Sequence, residues 1–450
     1  MLIRSRRDFL RAAVRSVSAA GALGAMSKFG EMNAFAGQLA NNNPYQALVC
    51  IYLAGGNDGH NLVVPIATAQ QNYNVYQAGR AGLALPQASL LPVSNGGDAY
   101  GLHPKLKEMQ ALYNAGAAAV VANVGMLVKP IDRNAYNSNN SAIIPNALFS
   151  HSDQSSQWQT AIPTGLGSTG WGGRIADIAQ SPNTTFPVMT STSGSSLFLT
   201  GQSTYSAVVP SGAPTLLNTG NQARANGLQQ LLTFDNGLQL VQAANGTLSR
   251  GVGYANTLNT AINGVQVTTT FPSGNPLALQ LRTVAQIIKA RGALGLSRQI
   301  FFCTLGGFDT HGSQLSTQDA LLQQLSQAVN AFYVALTQEL NVAQYVTTFT
   351  ASEFGRTLTP NGNGGTDHAW GSHHFVVGGA VQGGKFYGQF PSLARGSQYD
   401  ANSRGTLIPT TSVDQYGASL AQWFGVGPAD LPTVFPYLTN FPVSNLGFLG

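Results

Sequence analysis

The sequence predicts an α/β domain with a mostly parallel central sheet, and three observations carry that expectation. Two runs, 47–53 and 299–305, are almost wholly apolar, the second broken only by Gln299 and Thr304, the pattern of strands covered on both faces. Each ends in a glycine pair and then an aspartate: Gly55-Gly56-Asn57-Asp58 after the first, Gly306-Gly307-Phe308-Asp309 after the second. Between such runs lie segments with apolar residues every three or four positions, and strands alternating with helices build parallel sheets.

The other elements follow the same logic. A third strand is expected over 345–350, ending at Ala351-Ser352-Glu353, and a fourth at Phe375-Val376-Val377. Residues 117–122 and 186–190 are weaker strand candidates. Ser316 or Thr317 is placed to cap a helix carrying Leu322, Leu325, Val329, Phe332, Leu336 and Leu340. Leu281, Val284, Ala285 and Ile288 form a second apolar stripe, and 413–424 a third. Residues 180–275 break the rhythm with Ser, Thr, Gly and Asn, and are expected as an insertion or cap, with a helix near 228–241. Cys50 and Cys303 both fall in buried-strand runs. Free thiols are the expectation, and a disulfide would need the two side chains to face each other.

The N-terminus is a different kind of sequence. Ser5-Arg6-Arg7-Asp8-Phe9-Leu10-Arg11 precedes a weakly apolar stretch, 12–26, and then Ala34-Phe35-Ala36. Paired arginines, a modest apolar core and an A-x-A site make a twin-arginine export signal over 1–36, read by the Tat translocase. The protein is then periplasmic or secreted, a single domain over 37–450. The apolar stretch is too short for a permanent membrane span, which needs roughly 20 apolar residues. The formal net charge of +5 belongs mainly to that signal; residues 37–450 keep 16 basic and 15 acidic side chains, a net of +1. No basic patch points to nucleic acid. Charged residues are 9% of the chain, against roughly 25% in ordinary soluble domains. The surface is polar but mostly uncharged.

Asp58, Asp309 and Glu353 all fall at expected strand ends, where open parallel sheets bind ligands. Gathered carboxylates repel unless a cation or hydrogen-bond donors lie between them. Four of the seven histidines follow the second aspartate: His311, His368, His373 and His374. Carboxylates with imidazoles suit zinc or manganese, and carboxylates alone suit calcium or magnesium. His60 and His103 also fit ordinary hydrogen-bonded roles. Phe149-Ser150-His151-Ser152-Asp153 offers a hydroxyl, an imidazole and a carboxylate, with Ser152 the candidate nucleophile and His151 beside it. Neither a G-x-S-x-G elbow nor a phosphate-binding GxxxxGK[ST] loop occurs.

Several motifs together resemble an exported bacterial family, domain of unknown function 1501, over about 47–450. They are Ala54-Gly55-Gly56-Asn57-Asp58-Gly59-His60-Asn61, Phe149-Ser150-His151-Ser152-Asp153, Gly170-Trp171-Gly172-Gly173-Arg174, Gly306-Gly307-Phe308-Asp309-Thr310-His311, Ser352-Glu353-Phe354-Gly355-Arg356-Thr357 and Gly365-Thr366-Asp367-His368-Ala369-Trp370-Gly371. The resemblance implies an alkaline phosphatase-like α/β/α sandwich and a metal-dependent hydrolase of a phosphate- or sulfate-type ester. It places Asp58, Asp309, His311, Glu353 and His368 among the metal ligands, with Asp367 ligating or orienting His368. Two departures stand out. One residue separates Asp309 from His311 where phosphatases have three, and Glu353-Phe354 stands where Asp-His is expected. These departures also allow a non-catalytic envelope or binding protein on the same fold.

Overall fold

The computed structural model describes residues 45–179, 185–212, 216, 220–234 and 237–450. The expected export signal, 1–36, lies outside these residues. In chain order the strands are β1 (Gln46–Ala54), β2 (Val63–Ala67), β3 (Leu91–Asn95), β4 (Asp98–Leu102), β5 (Ala118–Gly125) and β6 (Met189–Ser191). They continue with β7 (Ser206–Val208), β8 (Arg298–Gly306), β9 (Val346–Ala351), β10 (Ser372–Gly378), β11 (Phe386–Tyr387) and β12 (Thr411–Ser412). Nine of them form one sheet in the order β11-β5-β10-β9-β1-β8-β6-β7, with β12 paired to β5; β2, β4 and β3 form a small second sheet.

The large sheet is parallel except at β10, which runs antiparallel to both β9 and β5. That one reversal matters for the site. The start of β10 lies at the same edge as the carboxyl ends of β1, β8 and β9, so the segment leading into β10, with Asp367 and His368, arrives beside their turns.

Residues 47–53 of β1 and all of β5 and β10 are buried, as strands covered on both faces must be. The helices Lys107–Asn114, Pro276–Lys289 and Gln314–Val334 pack together as one group, and His151–Thr160, Trp171–Ala179, Val413–Phe424 and Leu431–Val434 as another. The expected mostly parallel α/β architecture holds. The Val413–Phe424 helix matches its expected bounds and carries a capping box at Ser412 and Gln415. The helix after β8 starts earlier than expected: its N-cap is Ser313, while Ser316 lies inside it and donates back to the Ser313 carbonyl at 3.1 Å.

The 180–275 segment does more than cover the sheet. It supplies β6 and β7, which extend the sheet edge, and then the helices Gln222–Thr233 and Gln239–Ile262. The weaker strand candidate at 186–190 overlaps β6, while β7, three residues among Ser- and Gly-rich stretches, carries too little pattern to be announced. Cys50 and Cys303 are buried free thiols. The register pairs Cys50 with Phe302 and Ile51 with Cys303. Paired residues of neighbouring strands share a face, so the two cysteines point to opposite faces of the sheet.

Candidate metal centre

The site is assembled from four chain segments. The turn after β8 brings Asp309 and His311, the turn after β9 brings Glu353 and Arg356, and the segment before β10 brings Asp367 and His368. The fourth is the first turn of the His151–Thr160 helix. Its cap is Ser150, whose hydroxyl accepts from the Asp153 N–H. Phe149, just before the cap, has φ +73°, a conformation a bulky residue holds only where its surroundings impose it.

Three imidazoles converge on one carboxylate oxygen. Asp309 Oδ1 lies 3.5 Å from His151 Nε2, 3.1 Å from His311 Nε2 and 3.3 Å from His368 Nε2. His311 Nε2 and His368 Nε2 are 2.9 Å apart. The available ligand atoms of His151, Asp309 and His368 all lie within 4.8 Å of one another. Phe354 forms an aromatic wall: its ring is stacked on His368 at 4.6 Å and tilted against His151 at 4.8 Å.

The surrounding charges are fixed from below. Arg356 pairs with Asp309, and its buried guanidinium also donates to the carbonyls of Gly55, Gly56 and Thr366. Burial opposes the charge on Asp309, but the Arg356 hydrogen bond and the nearby positive charges outweigh it and hold the carboxyl below its ordinary value. Burial, with Arg356 close by, moves His368 below the usual imidazole value. Asp367 is pinned by Arg404 at 2.7 Å and lies 3.6 Å from His311 Nδ1. Glu353 Oε1 accepts from the Gly55 N–H at 2.8 Å and faces His151 Nδ1 at 3.1 Å.

The other expected site residues are engaged differently. Asp58 is not gathered into the group. It is buried, ion-paired with Arg80, bonded by Gln314 and held by the His60 N–H at 2.9 Å. Ser152 is exposed, and its hydroxyl donates to Asp153 Oδ2 at 3.1 Å. His373 and His374 are core residues of β10, and burial pushes both down to about 3. His60 is likewise neutral, pushed down to about 4, with Nε2 3.1 Å from the Gly405 carbonyl. Trp370 is core, donating to the Met126 carbonyl. Arg80, Arg404 and the Phe149 carbonyl were not singled out by the sequence. Only Phe149 carried a signal, its place beside the Ser150 cap.

The family model of the protein of unknown function DUF1501 matches residues 45–414. The chain belongs to the DUF1501 family. No curated protein matches it. Among solved structures it is similar to Ps i-CgsB in complex with k-i-k-neocarrahexaose, at 8% identity over 89% of this chain and 77% of that one, with a TM-score of 0.33. It is also similar to the PsFucS1 sulfatase from Pseudoalteromonas sp., at 9% identity over 88% and 72% with a TM-score of 0.33. A third is the phosphonate monoester hydrolase of Agrobacterium radiobacter, at 10% identity over 78% and 72% with a TM-score of 0.29. At such scores these likenesses carry no argument about activity, and the architecture rests on the sheet described above. Among the described residues no helix is long and apolar enough to cross a membrane.

Proposed function

We propose that this DUF1501 protein is an exported, alkaline phosphatase-like hydrolase of a phosphate- or sulfate-type ester that depends on a divalent cation. The observation that carries the reading is the convergence of three imidazole Nε2 atoms on Asp309 Oδ1, beside a buried arginine. The donor set fits a cation, because anchored imidazoles and a carboxylate are what such ions bind. A divalent cation there would neutralise the ester oxygens and lower the pKa of a hydroxyl or water nucleophile. Arg356 holds Asp309 in place and adds a fixed positive charge for the anionic group of the ester. Ser152 supplies the hydroxyl in this scheme, one residue from His151, with Asp153 Oδ2 accepting its hydrogen bond. His151 belongs to the donor group rather than serving as the base for Ser152.

Asp58 favours a second reading. The resemblance puts it among the metal ligands, yet Arg80 occupies it. An envelope or binding protein that keeps one ion without catalysis fits that arrangement. The two readings separate in an ester screen on protein exported by its own signal. Hydrolysis of a phosphate or sulfate ester, lost on chelation and reduced roughly 100-fold or more in Asp309→Asn, supports the enzyme. Metal-free protein without turnover of either ester class sinks it. Export itself is tested by Lys at both Arg6 and Arg7. Precursor trapped in the cytoplasm is expected, and normal export of that double variant removes the Tat proposal.

A further inference from the structure

We propose that His151, His311, His368 and Asp309 are the complete protein donor set of a single transition-metal centre, and that Glu353 and Asp367 are positioning residues that set the histidine tautomers. The proposal deepens the cation-dependent reading but does not rest on ester turnover.

The outer neighbour of each imidazole places its proton. His368 Nδ1 is 2.7 Å from the Phe149 carbonyl, His151 Nδ1 is 3.1 Å from Glu353 Oε1, and His311 Nδ1 is 3.6 Å from Asp367 Oδ1. A carbonyl or carboxylate only accepts, so the Phe149 carbonyl and Glu353 favour the proton on Nδ1 of His368 and His151, while Asp367, beyond hydrogen-bond distance of His311, favours it there through its charge. All three Nε2 lone pairs then face inward, towards Asp309. At 2.9 Å, the His311 and His368 lone pairs repel unless a proton or a cation lies between them. An imidazole whose outer N–H is held by a carboxylate or carbonyl is the usual arrangement of a metal-ligating histidine.

The spacing suits a small ion. Donors of a tetrahedral zinc at about 2.0 Å lie about 3.3 Å apart. The three contacts to Asp309 Oδ1 and the His311–His368 contact, from 2.9 to 3.5 Å, bracket that value. The ligand atoms of His151, Asp309 and His368 lie within 4.8 Å of one another, and loading would draw His151 towards the His311 and His368 nitrogens. Arg356 shares Asp309 Oδ1, which lowers the anionic charge left for an ion and makes imidazole the main donor. Calcium, magnesium and manganese prefer oxygen ligands; nitrogen donors select zinc, copper, iron and nickel.

The remaining carboxylates are already engaged. The Glu353 side chain is 5% exposed, and the Gly55 N–H and His151 share its Oε1. Asp367 gives Oδ2 to Arg404 and Oδ1 to Asn361 and His311. Asp58 is locked to Arg80. Asp58 and Asp367 each already meet an arginine, and Glu353 is held through Oε1 by the Gly55 N–H and His151.

The test is metal binding on chelator-stripped protein, with cobalt(II) as a spectroscopic probe and zinc, manganese, calcium and magnesium as competitors. The expected result is one cobalt per chain with the visible bands of a nitrogen-rich site. Zinc should displace it, and millimolar calcium or magnesium should not. His311→Ala should abolish the bands. Glu353→Gln and Asp367→Asn should keep the saturated spectrum and stoichiometry while weakening affinity about 10- to 100-fold. Should Glu353→Gln fail to fold by circular dichroism, the more exposed Asp367→Asn decides the positioning claim. Absence of cobalt binding, or calcium binding that Glu353→Gln or Asp367→Asn abolishes, overturns the proposal. Cobalt bound as expected without ester turnover leaves the centre standing and removes only the hydrolase reading.

Discussion

After β1 the chain runs Gly55-Gly56-Asn57-Asp58-Gly59-His60, and from the last residue of β8 it runs Gly306-Gly307-Phe308-Asp309-Thr310-His311. Both turns leave adjacent parallel strands at the same sheet edge, and both present an aspartate followed by a histidine two residues on. Each aspartate also meets an arginine from far along the chain. The outcomes nevertheless differ. The Asp58 side chain is 1% exposed and its arginine 0%, with His60 neutral and buried; the Asp309 side chain is 47% exposed and surrounded by three imidazoles. The same local pattern therefore becomes a buried brace in one turn and an open, histidine-lined edge in the other. Water access and the neighbours brought by other segments decide which.

The largest expected effect tests the brace. Arg80→Ala leaves the Asp58 carboxylate buried without its cation, and breaking such a pair typically costs about 3–5 kcal/mol. Asp309→Asn, at a half-exposed carboxylate whose arginine keeps three carbonyl partners, should cost about 1 kcal/mol or less. Denaturant melts of the two variants measure both. A larger loss in Asp309→Asn would reverse the assignment of the two turns.

The contrast also explains what the sequence could and could not disclose. The runs 47–53 and 299–305 announce their strands because a strand covered on both faces carries few polar positions to confuse the pattern. Asp309, His311 and His368 were legible as a group because their residue types are rare in this weakly charged chain. Arg80 and Arg356 were not legible as partners. Each lies far from its aspartate in sequence, and nothing local says which acid it will meet. The reversed direction of β10 was equally hidden. Phe375-Val376-Val377 reads the same in either direction, yet that direction delivers Asp367 and His368 to the site.

Asp414 sharpens the comparison by showing burial without a brace of the Asp58 kind. It lies fully buried at the start of the Val413–Phe424 helix, and burial pushes its carboxyl up to about 7, with the charge of Arg174 opposing only in part. The sign follows from linkage. The folded protein holds this proton up to about pH 7, while the unfolded chain releases it near 3.8. Stability from this group is therefore fully present below the lower value and falls as pH rises between them. The loss has an upper bound of roughly 4 kcal/mol at 1.36 kcal/mol per unit. Asp414→Asn should flatten that part of the profile in melts between pH 4 and 8. An unchanged slope would show that burial alone does not set the charge of an acid in this core.

The smallest effect concerns the first glycine of each glycine pair. Gly55 has φ +118°, and a Cβ built on it would lie 2.3 Å from the Asp309 backbone nitrogen and 2.8 Å from the Phe308 carbonyl carbon. The brace turn thus packs its backbone directly against the turn that carries Asp309. Gly306, the first glycine of the other pair, is the last residue of β8 and pairs with Ala54; it lacks a positive φ, and a Cβ there would meet nothing within 4 Å. Gly306→Ala should be neutral or stabilise by up to about 1 kcal/mol, through the unfolded chain. Gly55→Ala combines a strained backbone with a backbone clash and should lose about 2–3 kcal/mol. It should also displace Asp309, so cobalt affinity would fall even though Gly55 touches no ligand atom. Equal stability and equal cobalt affinity in the two alanine variants would mean the turns are independent. An affinity loss confined to Gly55→Ala would show that the rigid turn positions the open one.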